Sequence, residues 1–365
     1  MKILQVISGL GNGGAEKFVV ELSNALSKNH TVMLCSFKAV DGHFHFPELL
    51  NTSVTLTTFG KTKGFDASVY SSLSRLIRKE KPDVVHFHLD ATLKYVMPLM
   101  AFFFRIKFIY TIHSDLNVNK KKIFSQLSRI SFVSKRVTWV CIAPAIRMEF
   151  EKAFPSLKFQ MVENGIAELK CTSLAEEVKM EVAGMKLTGT TTVLISVAKL
   201  NGNKNQALLM EAMKQLNDRN VILLLVGHDS SSDQHYLKKL TAMSSGNVFF
   251  LGLKSNVADY LTCSDAFVIT SLNEGLPISA LEAFSFGLPV ITTPAGGLKD
   301  LVEHGKNGFV TKDFSKEALL SSLKEYLDLK DGQKEKIGQE NRRKFLAHYT
   351  MKACAGNYES LYTKN

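Results

Sequence analysis

Short apolar runs alternate with helix-periodic stretches along this chain, in two successive series. The first series reads KILQVIS, TVMLCSF, DVVHFH, KFIYTIH, TWVCIA and KFQMVENG, with helical stretches such as Ala15 to Leu26 and Leu93 to Phe104 between them. The second reads TTVLISVA, VILLLVG, NVFFLG, AFVIT and LPVITT, with helices predicted from about Gln206 to Leu216 and Ser279 to Phe284. A run that is apolar throughout suits a strand covered on both faces. Strands separated by helices pair in parallel. Two such series predict two doubly wound α/β domains. The break falls between Asn164 and Thr190, where an Asn-Gly turn and the polar stretch CTSLAEEVKMEVAG precede a fresh strand. The expected division is residues 1–168, then 185–340, then a charged helical tail over 341–365 that packs back on the first domain.

At 365 residues the chain is long enough for two cores. Its charge is uneven. Residues 1–165 carry 22 basic and 12 acidic side chains, a net +10, and the remainder carry 23 and 22, a net +1. A basic half calls for an anionic partner: nucleic acid, a phospholipid surface or a phosphorylated substrate. Helix-turn-helix, zinc and RNA-binding motifs are absent, so nucleic acid is not expected. The basic residues concentrate over 94–136, with nine Lys/Arg against Asp115 and with Lys120, Lys121 and Lys122 consecutive. Phe102, Phe103, Phe104, Phe108 and Phe124 lie beside them. That mixture suits a membrane-surface element, and equally a helix core with a basic rim. The nine-residue run Val96 to Phe104 is too short to span a bilayer. The start, MKILQVISGLGNGG, reads as a strand entering a glycine loop, not as a secretory leader. Five cysteines without a CxxC pair argue for free thiols in a reducing cytoplasm and against a zinc site.

Two loops carry the chemistry. The first, GLGNGGAEK, holds Gly9, Gly11, Gly13 and Gly14 between a strand and a helix. It is either a tight turn or a place where a phosphate or sugar approaches the backbone. A nicotinamide cofactor is disfavoured, because Lys38 follows the second strand where an acid is needed. The second loop is TSLNEGLPISALEAFSFGLPVITTPAGG, after the strand AFVIT. Seven residues separate Glu274 from Glu282, with Pro277 near a helix start between them. Glu274 is expected on the loop and Glu282 on the helix. The N–H groups of Gly275 and Leu276 are expected at the helix start, as an anion seat. Carboxylates accept hydrogen bonds from sugar and ribose hydroxyls, and backbone amides suit a diphosphate. The combination reads as a nucleotide-sugar site.

These residues resemble the retaining glycosyltransferases of the GT-B fold, family 4 or glycosyl transferases group 1, of the bacterial polysaccharide type. The family's E-x7-E signature matches Glu274 and Glu282, and FGLPVITTPAGGLKDLV follows its next pattern with Asp300 where glutamate is common. HGKNGFV resembles its close. VAKLNGNKNQALLMEA resembles its lysine stretch, with Lys204 on the usual lysine, Lys199 for a frequent arginine and Ala198 for a glycine. The resemblance runs from GGAEK to the helical tail.

It implies two Rossmann-like parallel-sheet domains facing a cleft, acceptor on the first and donor on the second. Glu274 would contact the donor sugar, Glu282 the ribose, and Lys199 with Lys204 the diphosphate. Gly13 and Gly14 would approach the donor phosphate or the acceptor. His113, at the end of KFIYTIH, matches a family histidine that contacts the sugar or its phosphate, although its acid comes one residue late, at Asp115. His86 and His88 share one strand face, with too few further ligands for a metal; His88 is placed either at the acceptor side or in packing. Asn164 and Gly165 match a structural turn before the second domain. The implied reaction moves a hexose-type sugar from a UDP- or GDP-linked donor to a hydroxyl of a glycan or lipid-linked acceptor. No metal or cofactor is expected beside the nucleotide-sugar co-substrate. The implied setting is the cytoplasm, peripheral on the inner face of the bacterial membrane. A sugar-nucleotide epimerase of the same fold and a non-catalytic relative are the alternatives.

Overall fold

The computed structural model describes residues 1–39, 49–61, 66–114, 136–216, 219–229, 231 and 233–363. The chain divides into two units, Met1–Ala167 with Thr350–Asn365, and Glu168–Tyr349. The second unit therefore begins earlier than residue 185. The helix Ala175–Met185 packs on the helix Val257–Thr262 of that unit. Ahead of it, Thr172 donates to buried Asp259 through both its backbone N–H (2.7 Å) and its Oγ1 (2.6 Å).

The expected tail is also divided. The helix Asp331–Lys344 and the π-helical turn Phe345–Tyr349 stay with the second unit. The reason is Asn341, wholly buried, whose Nδ2 donates to the carbonyls of Leu288 and Asn307 at 2.8 Å each. Only the helix Met351–Thr363 packs in the first unit, against the helix Gly14–Leu26.

The first unit is built on β1 (Lys2–Ile7), β2 (Thr31–Ser36), β3 (Thr55–Thr58), β4 (Val84–His88), β5 (Lys107–Ile112), β6 (Val137–Cys141) and β7 (Phe159–Met161). Their order is β3-β2-β1-β4-β5-β6-β7, and every adjacent pair is parallel. The order reverses between β1 and β4, where Ile7 faces His88 in register. In an open α/β sheet that reversal marks the crevice where ligands bind, beyond the carboxyl ends of the strands. β3 has no counterpart in the sequence reading, because its Thr-Leu-Thr-Thr edge lacks an apolar run.

The second unit holds β8 (Thr192–Val197), β9 (Val221–Val226), β10 (Val248–Gly252), β11 (Ala266–Ile269), β12 (Val290–Thr292) and β13 (Gly308–Val310). Their order, β10-β9-β8-β11-β12-β13, is parallel throughout and reverses between β8 and β11. Leu194, Leu223, Val268 and Ile291 from four of these strands share one core with Leu209 and Leu323 from the covering helices. Three-residue β13 is too short to show a period in sequence. Among the described residues no helix is long and apolar enough to cross a membrane.

Candidate active site

The reversal point of the second sheet gathers the charged residues. After β8 the chain passes Lys199 and turns through Asn201–Asn205. Asn205 takes the left-handed conformation (φ 51°) just before the helix Gln206–Gln215. The loop after β11 is stitched to this turn. Thr270 Oγ1 donates to the carbonyls of Lys204 (3.1 Å) and Asn205 (3.0 Å), Leu272 N–H donates to the Asn203 carbonyl (2.8 Å), and Asn203 Nδ2 donates to the Asn273 carbonyl (3.0 Å). These bonds bring Lys204 Nζ to 2.5 Å from Glu274 Oε1, which also accepts from Ser271 Oγ at 2.6 Å. The two charged side chains are 25% and 10% exposed. A partly desolvated, charge-assisted pair of this kind is held more firmly than a surface one.

Glycine underlies the position of Glu274. Gly296 has φ +48°, and a Cβ built on it would stand 1.9 Å from the Glu274 carbonyl oxygen. The Gly297 N–H donates to that same oxygen at 3.2 Å. The Ala-Gly-Gly segment of the motif thus seats the glutamate's backbone.

Glu282 lies on the helix Ile278–Ser285 and is buried, at 7% exposure. Gly275 and Leu276 fall short of their expected place. Pro277 is the N-cap and Ile278 the first helical residue, so Gly275 and Leu276 precede the first turn, and both are buried. With its fixed φ and missing N–H, Pro277 sits one position earlier than a first-turn proline.

Lys199 is half-buried beside His228, whose ring follows β9. Burial lowers the His228 pKa, and the Lys199 charge lowers it further, against Asp229. Among the described residues His228 Nδ1 is buried without a hydrogen-bond partner. His228 and Gln206, whose Nε2 donates to the Lys199 carbonyl (2.9 Å), were not found from sequence. The signal was weak: each lies in a polar run, HDSSSDQH or NGNKNQ, in which no one residue stands out.

In the first unit, Gly13 caps the helix Gly14–Leu26. A Cβ on Gly13 would meet the Glu16 carboxylate at 2.3 Å, so Glu16 folds back over the helix start. That is the favourable place for a first-turn acid.

His113 follows β5 and is half-buried. Its Nε2 is 3.0 Å from Nδ1 of His88. His86 and His88 do share one face of β4, with ring centroids 4.0 Å apart, but both are wholly buried, so His88 lines no surface. Loss of water holds both rings well below the ordinary histidine range, and burial pushes His113 down to about 3.

Gly165 closes the turn of the first unit. A Cβ there would lie 2.6 Å from the Thr350 carbonyl oxygen, where the returning chain pairs with Ile166.

Of the basic stretch, residues 115–135 lie outside the described residues, with Asp115, Lys120, Lys121, Lys122 and Phe124 among them. Phe102 and Phe104 are exposed, at 65% and 77%, and the Arg136 guanidinium lies 4.9 Å from the Phe104 ring centre. Phe108 belongs elsewhere: it is wholly buried and stacked on Phe87.

Two doubly wound parallel sheets in this order are the architecture of the GT-B fold; the class of chemistry comes from the family matches. Residues 12–168 match the family described as Glycosyltransferase Family 4, and residues 182–344 match Glycosyl transferases group 1. The chain is a GT-B-fold glycosyltransferase related to both families. An uncharacterized glycosyltransferase of Methanocaldococcus jannaschii is 27% identical, over 69% of this chain and 68% of its own. A Campylobacter jejuni α-1,4-N-acetyl-D-galactosaminyltransferase, named for a diphosphoundecaprenol-linked glycan, is 24% identical over 94% of this chain and 93% of its own. Anabaena HepE, solved in complex with UDP and glucose, has a TM-score of 0.84 at 20% identity, over 100% of each chain.

Proposed function

We propose that this enzyme transfers a hexose-type sugar from a UDP- or GDP-linked donor to a hydroxyl of a glycan or lipid-linked acceptor, with retention at the anomeric carbon. The observation that carries the reading is the Lys204–Glu274 pair, 2.5 Å apart beyond the strands where the second sheet reverses. Lys204, with Lys199, is assigned to the diphosphate, where a cation offsets charge on the leaving nucleotide. Glu274 is assigned to the sugar and Glu282 to the ribose. Gly275 and Leu276 are assigned to the phosphates through the backbone before the helix, and Gly13 with Gly14 to donor phosphate or acceptor. His113 is assigned to the sugar or its phosphate.

In this scheme the acceptor oxygen attacks the anomeric carbon on the face from which the diphosphate leaves. The new glycosidic C–O bond forms as the sugar–phosphate C–O bond breaks, and the acceptor proton passes to a phosphate oxygen. The family matches support the reading, as do the UDP complex of Anabaena HepE and the naming of the Campylobacter relative. They favour bacterial surface-polysaccharide assembly as the setting. Exposed Phe102 and Phe104 beside Arg136 support attachment to the inner face of the membrane.

A thermal-shift panel of UDP-, GDP- and ADP-sugars tests the donor: unequal stabilisation identifies the nucleotide through binding linkage. Glu282→Ala should weaken donor binding strongly, and unchanged binding and turnover would remove the ribose assignment. Release of free nucleotide distinguishes transfer chemistry from epimerisation, which converts the donor without releasing it. For the membrane reading, Phe104→Ser should reduce cosedimentation with anionic vesicles, and equal binding by both proteins would count against it.

A further inference from the structure

Gln5 is a polar residue inside the apolar strand β1, wholly buried. Its side chain joins a network with His86 and His88 of β4, Thr111 of β5, and Tyr358 and Tyr362 of the helix Met351–Thr363. Gln5 Nε2 donates to Tyr362 Oη at 3.3 Å, and Gln5 Oε1 lies 2.8 Å from His88 Nε2. An amide oxygen only accepts, so His88 carries its proton on Nε2. His88 is buried and meets no carboxylate in this network, so the ring is neutral and its Nδ1 is a bare acceptor. The atom facing that lone pair is His113 Nε2, at 3.0 Å, which must supply the proton. His113, itself neutral, is then left with a bare Nδ1, which makes no hydrogen bond among the described residues.

The other branch runs consistently. Tyr362, having accepted from Gln5, donates to His86 Nδ1 at 2.8 Å. His86 Nε2–H then donates to Thr111 Oγ1 at 2.7 Å, and Thr111 donates to Tyr358 Oη at 2.9 Å. This direction matches a phenol donor to an imidazole nitrogen, the stronger acceptor. Turning the Gln5 amide over would reverse every bond in both branches.

We infer that Gln5, acting through His88, is a positioning residue that holds His113 in its Nε2–H tautomer, so that His113 Nδ1 accepts a hydrogen bond from a sugar hydroxyl and donates none. This rests on the placing of His113 at the sugar. It gives the ring an orienting role and excludes it as a proton donor to the leaving group.

The test uses the full chain with ring-¹⁵N histidine, observed by long-range proton–nitrogen correlation, with His113→Ala assigning the signals. The wild-type ring should show its proton on Nε2 and a bare Nδ1. Gln5→Met, close in volume, should give mixed tautomers. It should also lower kcat for hydrolysis of whichever of UDP-glucose, UDP-galactose and GDP-mannose is turned over, by about threefold to tenfold, with KM little changed. Tyr362→Phe serves as the milder variant if Gln5→Met unfolds, with a smaller shift in the same direction.

A wild-type proton on Nδ1 would overturn the inference without any variant, as would an unchanged tautomer in a folded Gln5→Met. If His113→Ala stops turnover while a tautomer-shifted Gln5→Met matches wild type, the placing of His113 stands and the positioning role falls. If His113→Ala is itself harmless, the placing fails and the role falls with it.

Discussion

The two sheets reverse at equivalent places and present opposite chemistry there. In the second unit the loops beyond β8 and β11 hold a cation and an anion in contact, Lys204 and Glu274. In the first unit the ends of β4 and β5 hold His88 and His113, with Gln5 behind them inside β1, uncharged and joined by hydrogen bonds. One arrangement is suited to a charged leaving group. The other is suited to recognising hydroxyls without adding charge. Topology sets where a ligand is met, and the side chains at that point decide what is offered to it.

The comparison is most open to attack at Glu274. Glu274→Ala should lower donor turnover on the order of 100-fold, measured as free-nucleotide release. Glu274→Gln, which removes the negative charge facing Lys204, should bind plain UDP more tightly than wild type; weaker binding would show that the pair does not compete with phosphate. Next in size is Lys204→Ala, expected to raise the dissociation constant for UDP about tenfold to 100-fold by calorimetry. Gly296→Ala tests the support beneath the glutamate. Forcing a Cβ into φ +48° and against the Glu274 carbonyl should cost about 1–3 kcal/mol in denaturant unfolding.

The neutral side is tested by pH. His86 and His88 have folded pKa values depressed below 6.5, so below that pH the unfolded chain binds more protons than the folded one. Stability contributed by the neutral rings is complete above pH 6.5 and falls as pH drops, by up to about 1.4 kcal/mol per pH unit for each ring. A first-unit unfolding midpoint that is flat between pH 7 and pH 5 would contradict it. The smallest expected effect is Tyr362→Phe, about 1 kcal/mol for one lost hydrogen bond.

Much of this was legible in the residues. The apolar runs mark the inner strands because those strands are covered on both faces. The motif around Glu274 marks its loop, because glycine and proline are needed where backbone approaches backbone, as at Gly296. What the pattern hid is physical too. β3 is a polar edge and β13 is three residues long, so neither shows a period. The helix after Glu274 starts later than its proline suggested, because Pro277 caps it. The histidine network joins residues as distant as Gln5 and Tyr362, and no local spacing records such a meeting. Its trace was Gln5 alone, one amide in an apolar strand.

The return of the chain at Thr350 has a consequence for biogenesis. The first unit is discontinuous: Met351–Thr363 supplies Tyr358 and Tyr362 to a core otherwise drawn from residues before 168. A ribosome delivers those tyrosines only after the whole second unit has been synthesised. Until then His86 and Thr111 lack their phenolic partners, and a buried polar group without a partner is costly. The second unit, continuous in sequence, is synthesised before Met351–Thr363, and the first unit reaches its final polar core only once that helix has followed it.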